Sequence, residues 1–115
     1  MMTKPNIDIS PADWKIVYNI LQRHVPQYAV WAFGSRATWT AKRYSDLDLA
    51  VITDKPLGLS LEAELANAFS ESDLPWKVDV VDWACISERF RRIIEKNKVV
   101  VQEESKKMTG LKCDV

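Results

Sequence analysis

The segment from Gly34 to Asp48, GSRATWTAKRYSDLD, constrains this chain more than any other. A Gly-Ser turn ends one apolar run, and Asp46 and Asp48 begin the next. Side chains at positions i and i+2 of a strand point to the same face, so the two carboxylates are predicted to lie side by side. Parallel carboxylates repel each other, and this repulsion predicts a bound divalent cation with oxygen ligands. The alternative interpretation is a pair of solvated surface aspartates.

The composition narrows the class of protein. A chain of 115 residues with 47% apolar and 28% charged residues is typical of one globular domain with its own core. We therefore expect a single domain over residues 1–115, with a core at about 10–102 and a flexible or partner-bound tail at 103–115. Sixteen basic residues balance sixteen acidic ones, so direct binding of nucleic acid is not expected.

Membrane and export signals are not evident in the sequence. No apolar run approaches eighteen residues, and the first residues contain no apolar segment of the kind found in signal peptides. The two cysteines, Cys85 and Cys113, form no CxxC or Cys/His pattern. These observations predict a cytoplasmic protein with free thiols and no membrane span.

Apolar periodicity predicts helices that alternate with strands. The first helix should begin at Pro11 with Ser10 as its N-cap and end near His24. The other predicted helices are a short one at 35–39, one at 60–72 capped by Ser60, and one capped by Ser87 with Phe90, Ile93 and Ile94 facing the core. The predicted strands are 28–33, 46–53, 76–83 and 99–102. This order predicts an α/β (α+β) layer structure, a small sheet of about four strands flanked by helices.

A third carboxylate, Asp79, is expected to join the pair. It lies between Val78 and Val80, and aspartate is disfavoured within strands. If its strand lies beside the strand of Asp46 and Asp48, it adds another oxygen ligand, whereas Asp82 has the opposite parity and should face away. Three carboxylates suit one or two Mg²⁺ ions, with Mn²⁺ or another divalent ion as alternatives. Because Mg²⁺ commonly bridges protein carboxylates and substrate phosphates, a displacement at phosphorus is predicted.

The Gly-Ser turn supplies a place for those phosphates. Gly34 allows the backbone to approach a ligand closely, and Ser35 offers a hydroxyl and a backbone N–H group. Arg36 adds positive charge, so we predict nucleotide binding by Gly34, Ser35 and Arg36, with ordinary surface charge as the alternative for Arg36. Trp39 is expected to pack against the core, with stacking on a base as the alternative.

Gly34-Ser35, ten further residues, Asp46-x-Asp48 and Asp79 on a later strand together resemble the active-site pattern of the DNA polymerase β-type nucleotidyltransferase superfamily. The compact length is similar to that of its minimal nucleotidyltransferase (MNT) branch, and the similarity covers about residues 12–102. The resemblance implies a mixed sheet in a polymerase β-like fold. It also implies that Ser35 binds phosphate and that Asp46, Asp48 and Asp79 are metal-binding and catalytic.

The resemblance carries expectations about function as well. It implies transfer of a nucleoside monophosphate from an NTP to an acceptor, with ATP and Mg²⁺ required. Minimal members act as antitoxins by AMPylation, in which AMP moves from ATP to a tyrosine of a helical HEPN toxin, so a HEPN partner is implied. The alternatives are a non-catalytic nucleotide-binding subunit that neutralises its partner by complex formation and a nucleotidyltransferase with a small-molecule acceptor. A homodimer is left open.

Overall fold

Four helices and four strands alternate along residues 4–104, the part of the chain that the computed structural model describes. The helices are α1 (Pro11–His24), α2 (Ser35–Thr38), α3 (Leu59–Ser70) and α4 (Glu88–Asn97), and a 3-10 turn covers Trp83–Cys85. The strands are β1 (Ala29–Phe33), β2 (Leu47–Ile52), β3 (Val78–Asp82) and β4 (Val99–Gln102). The expected tail at 103–115 lies outside the described residues from position 105 onward, and the single-domain assignment stays a prediction.

The strands form one mixed sheet in the order β3-β2-β1-β4. β1 is antiparallel to both of its neighbours, whereas β2 and β3 are parallel and are joined through α3. One face of the sheet, on which Leu47, Leu49 and Val51 are fully buried, packs into the core with residues of α1 and α3. We call this the core face. The opposite face carries Phe33, Asp48 and Asp79, and we call it the carboxylate face.

Helix α1 follows the local signals in its sequence. The Ser10 hydroxyl accepts a hydrogen bond from the Asp13 N–H at 3.1 Å, and Pro11 occupies the first turn. The helix ends where the Val25 N–H donates to the Leu21 carbonyl. The predicted start and end of this helix are therefore confirmed.

Helix α3 begins earlier than predicted. Its N-cap is Gly58, with a φ of 95°, and the Gly58 carbonyl accepts the first helical bond from Glu62 at 3.1 Å. Ser60 consequently lies inside the first turn, so its prediction as the N-cap was wrong. Glycine adopts this left-handed conformation without strain, and the chain turns into the helix there.

Helix α4 uses only part of the apolar face that was predicted for it. The Ser87 hydroxyl accepts from the Phe90 N–H at 3.1 Å, which confirms the cap. Ile94 is fully buried and Phe90 packs edge-on against Phe33 at 5.7 Å, but Ile93 is 59% exposed. Phe90 and Ile94 are four residues apart and share one side of the helix, while Ile93 points away. The prediction for Ile93 was wrong.

No helix within residues 4–104 is long and apolar enough to cross a membrane.

Candidate active site

The structure brings the three predicted carboxylates together at one end of the carboxylate face. Asp48 and Asp79 are direct neighbours across the parallel pairing of β2 and β3. Asp46 lies just before β2 with the same parity as Asp48, and a bond from the Leu47 N–H to the Lys77 carbonyl (2.9 Å) extends the pairing to this end. The sequence predicted that Asp79 joins the pair if its strand lies beside the strand of Asp46 and Asp48, and the structure has this arrangement.

The electrostatics of this group favour a cation. Burial raises the pKa of Asp48 to about 6, and repulsion from Asp79 and then from Asp46 adds to the shift. Within the described chain, none of the three carboxylates forms an ion pair with a lysine or arginine. Three unneutralised oxygen donors on adjacent strands match the ligand type that Mg²⁺ and Mn²⁺ prefer, so these residues fit a divalent metal.

Asp82, which has the opposite parity, lies on the core face and is buried. Its carboxylate accepts hydrogen bonds from the Thr53 hydroxyl at 2.5 Å, the Leu57 N–H at 2.7 Å and the Ala84 N–H at 3.3 Å. Ligand atoms of Asp82, Glu62 and Cys85 lie within 4.8 Å of one another. Because both Asp82 oxygens already accept hydrogen bonds from the fold, we assign no metal to this second cluster.

Gly34 lies against Asp48 and is required there for two reasons. Its φ is 78°, a conformation that side chains disfavour, and a Cβ atom at this position would collide with Oδ2 of Asp48. The Gly34 carbonyl starts α2 by accepting from the N–H groups of Ala37 at 3.0 Å and Thr38 at 3.1 Å. The preceding N–H groups, those of Ser35 and Arg36, have no acceptor within the helix. The binding roles of Gly34 and Ser35 stay predictions.

The side chain of Arg36 has a different place from the one predicted for it. It is only 5% exposed, so the alternative of ordinary surface charge was wrong. Its guanidinium donates to four backbone carbonyls, those of Asp8, Lys42, Arg43 and Ser45, at 2.7 to 3.3 Å. It also stacks on the Trp76 ring at 4.6 Å. Because these contacts engage the guanidinium inside the fold, the side chain is not available to bind nucleotide.

Arg36 instead fixes the chain that leads to the carboxylates. Ser45, whose carbonyl accepts from Arg36 Nε at 3.0 Å, immediately precedes Asp46. Trp76, on which the guanidinium stacks, lies two residues before β3. Sequence reasoning missed this role, since no local pattern indicates that an arginine will bind carbonyls of distant loops.

Trp39 was predicted to pack against the core, and this was wrong. It ends α2 in a left-handed conformation with a φ of 62°, and it is 52% exposed. Its indole N–H donates to the Asn6 carbonyl at 3.4 Å, and the Lys4 ammonium lies 5.7 Å from its ring. The alternative, that Trp39 stacks on a base, is untested.

Comparison with known proteins shows similarity over most of the chain. The family model described as "Polymerase beta, Nucleotidyltransferase" matches residues 15–107. A "Probable protein adenylyltransferase MntA" of Haemophilus influenzae is 54% identical over 106 residues, which cover 92% of this chain and 93% of that protein.

Solved structures of toxin–antitoxin systems share the fold. One, described as a toxin-antitoxin with AMP-PNP, has a TM-score of 0.68 at 24% identity and covers 83% of this chain and 77% of its own. Another, a tri-AMPylated Shewanella oneidensis HEPN toxin in complex with an MNT antitoxin, has a TM-score of 0.61 at 20% identity, with 87% and 76% covered. At these identities the likeness establishes the mixed-sheet fold.

Proposed function

The chain belongs to the polymerase β nucleotidyltransferase family, and from this premise we propose that it transfers AMP from ATP to a tyrosine hydroxyl of a helical HEPN toxin, as the antitoxin of a two-protein system. The observation that carries the proposal is the convergence of Asp46, Asp48 and Asp79 on one face beside Gly34. A nucleotidyltransferase needs both parts, the carboxylates for the metal and an open turn for the phosphates.

The carboxylates are the proposed metal ligands. Enzymes of this family are typically metal-dependent, and Asp46, Asp48 and Asp79 would hold one or two Mg²⁺ ions. The metal, when bound, stabilises the negative charge that develops on the phosphoryl oxygens. With a pKa of about 6, Asp48 is mostly ionised at neutral pH and so presents a charged ligand there.

The turn at Gly34 and Ser35 is the proposed phosphate site. Because Gly34 has no side chain, the Asp48 carboxylate lies directly against the backbone of the turn, with Oδ2 where a Cβ atom would be. The Ser35 hydroxyl and the first N–H groups of α2 follow Gly34 directly in the chain, and they would donate to the triphosphate and orient it toward the carboxylates. Arg36 contributes indirectly, because it holds the loop before Asp46.

The acceptor is proposed from relatives. The Haemophilus influenzae relative is described as a protein adenylyltransferase, and its 54% identity spans nearly the whole of both chains. A structure with the same fold contains an AMPylated HEPN toxin and an MNT antitoxin. These findings support a protein acceptor over a small molecule. The cytoplasm is the proposed location, because ATP is the donor and Cys85 is a free thiol.

Labelled ATP tests the proposal. With Mg²⁺ and the cognate HEPN protein, we expect label from α-labelled ATP to appear on the partner, while label from γ-labelled ATP stays in solution. Asp46→Asn should abolish the transfer while the protein still binds its partner. Complex formation without label would support the non-catalytic alternative, and label on a small-molecule acceptor alone would support the other alternative.

A further inference from the structure

A groove runs between α3 and the outer edge of β3, on the side of the carboxylates away from Gly34. Its first part is a cleft of about 520 Å³ that begins at Asp46 and Asp79. Its second part, of about 410 Å³, continues along β3 to Ile86. Ala66, on the exposed side of α3, lines both parts. We call the two parts together the α3–β3 groove.

The position of the groove matches the direction from which an acceptor must come. The strand order places Gly34 and Ser35 after β1, the carboxylate pair on β2, and the groove beyond β3. In-line displacement at phosphorus requires the nucleophile and the leaving group to lie on opposite sides. If the turn holds the phosphates that leave, the nucleophile enters from the side of β3.

We propose that the α3–β3 groove binds the segment of the protein substrate that carries the acceptor tyrosine. This inference rests on the proposed function and specifies where its substrate binds. In the transfer, an O–P bond forms between the phenol oxygen and the α-phosphorus of ATP. The bond from that phosphorus to the α,β-bridging oxygen breaks, its electron pair leaves with pyrophosphate, and the phenol proton passes to water at the open groove.

The lining of the groove suits such a segment. Near Asp46 and Asp79 the lining of the cleft is mixed: Ser70 and Lys77 add polar groups, and the apolar side chains that can contact an aromatic ring are Phe69, Leu74, Pro75 and Trp76. β3 pairs only with β2 among the described strands, so the backbone groups on its outer edge can pair with an extended peptide.

Charge adds a second feature for recognition. Glu62 lies in the second part of the groove, close to Asp82, and no lysine or arginine within residues 4–104 forms an ion pair with it. This end of the groove therefore favours a basic residue near the acceptor tyrosine.

Blocking the groove with a bulky side chain tests the inference. Ala66→Trp should lower the kcat/KM for AMP transfer to the partner protein at least tenfold, with the Kd for Mg²⁺-ATP changed less than twofold. Ala63→Trp is the matched control, since Ala63 is exposed on the same helix but lines neither part of the groove. It should leave both quantities within twofold of the wild type. Circular dichroism verifies that each variant is folded.

A second pair of variants tests the inference independently if Ala66→Trp does not fold. Ser70→Trp narrows the cleft near Asp46, and Asn67→Trp is its exposed control on the same helix. Normal transfer by folded Ala66→Trp and Ser70→Trp would overturn the inference and leave the proposed function intact. A tenfold loss of ATP affinity in these variants would also overturn it, because the groove would then hold the nucleoside. Absence of transfer by the wild type would instead contradict the proposed function and the inference together.

Discussion

Two aspartates on the same strand, Asp79 and Asp82, have opposite environments. Asp82 is buried on the core face, where its oxygens accept hydrogen bonds from a hydroxyl and two backbone N–H groups. Asp79 is exposed on the carboxylate face and lies opposite another carboxylate, Asp48, whose pKa it helps to raise. The carboxylate of Asp82 stabilises the fold, because the fold supplies its hydrogen-bond donors. The carboxylates proposed to bind metal instead repel one another.

The largest expected effect is on catalysis at Asp79. Asp79→Asn removes one charged ligand, so we expect AMP transfer to the partner to fall on the order of a thousandfold. Stability should be unchanged or slightly higher, because repulsion with Asp48 is relieved. Rates from label transfer and melting temperatures from the same preparations provide the check. If Asp79→Asn keeps at least a tenth of the wild-type rate of AMP transfer, Asp79 is not part of the catalytic site.

At Asp82 the expected effect is on stability rather than on catalysis. Asp82→Ala leaves the Thr53 hydroxyl and the Leu57 N–H without their acceptor, while the Ala84 N–H still donates to the Thr53 hydroxyl oxygen at 3.1 Å. We expect the free energy of unfolding to fall by about 2–4 kcal/mol in urea denaturation. Asp79→Ala is the matched control and should not lower stability. Equal losses for the two alanine variants would contradict the comparison.

The two positive-φ glycines sharpen the comparison further. Gly34→Ala introduces a Cβ that collides with Asp48, whereas a Cβ at Gly58 meets no atom within 4 Å. Both substitutions strain the backbone, by about 1–2 kcal/mol. Gly34→Ala should lower the unfolding free energy by about 1 kcal/mol more than Gly58→Ala, and it should also impair transfer. In a double-mutant cycle, Asp48→Ala should reduce this additional loss of unfolding free energy in Gly34→Ala. If it does not, the collision with Asp48 is not the cause of the loss.

The smallest expected effect is the change of the unfolding free energy with pH that Asp48 causes. The pKa of Asp48 is raised from 3.8 to about 6 in the folded protein, so Asp48 lowers the stability of the metal-free protein progressively as pH rises through this window. Asp48→Asn should therefore raise the unfolding free energy at pH 7 and have little effect at pH 4. Since Asp48 is partly open to solvent, we expect about 1 kcal/mol rather than the full value of the shift. Equal effects at both pH values would refute this assignment.

Local signals in the sequence predict the parts of the fold that depend on neighbouring residues. The cap at Ser10, the Gly-Ser turn and the shared face of Asp46 and Asp48 follow from spacing alone, and the position of Asp79 between two valines indicates the third carboxylate. Competing local signals explain the error at α3, where Ser60 and Gly58 are both acceptable caps and the backbone conformation selects the glycine.

Features that depend on distant contacts could not be predicted in this way. Arg36 binds the carbonyl of Asp8 and stacks on Trp76, which are 28 and 40 positions away, and carbonyl groups are present at every residue. The collision that excludes a side chain at Gly34 depends on the tertiary position of Asp48. Likewise, the choice between Ile93 and Ile94 depends on how α4 lies on the sheet.

Binding of Mn²⁺ tests most directly whether the carboxylate face holds the metal. Titration of the wild type with Mn²⁺ in the presence of a non-hydrolysable ATP analogue, followed by electron paramagnetic resonance, should show one or two bound ions. Asp48→Asn and Asp79→Asn should each weaken binding at least tenfold, and folded Cys85→Ala, at the second acidic cluster, should bind like the wild type. Undiminished Mn²⁺ binding by the two asparagine variants would contradict the account.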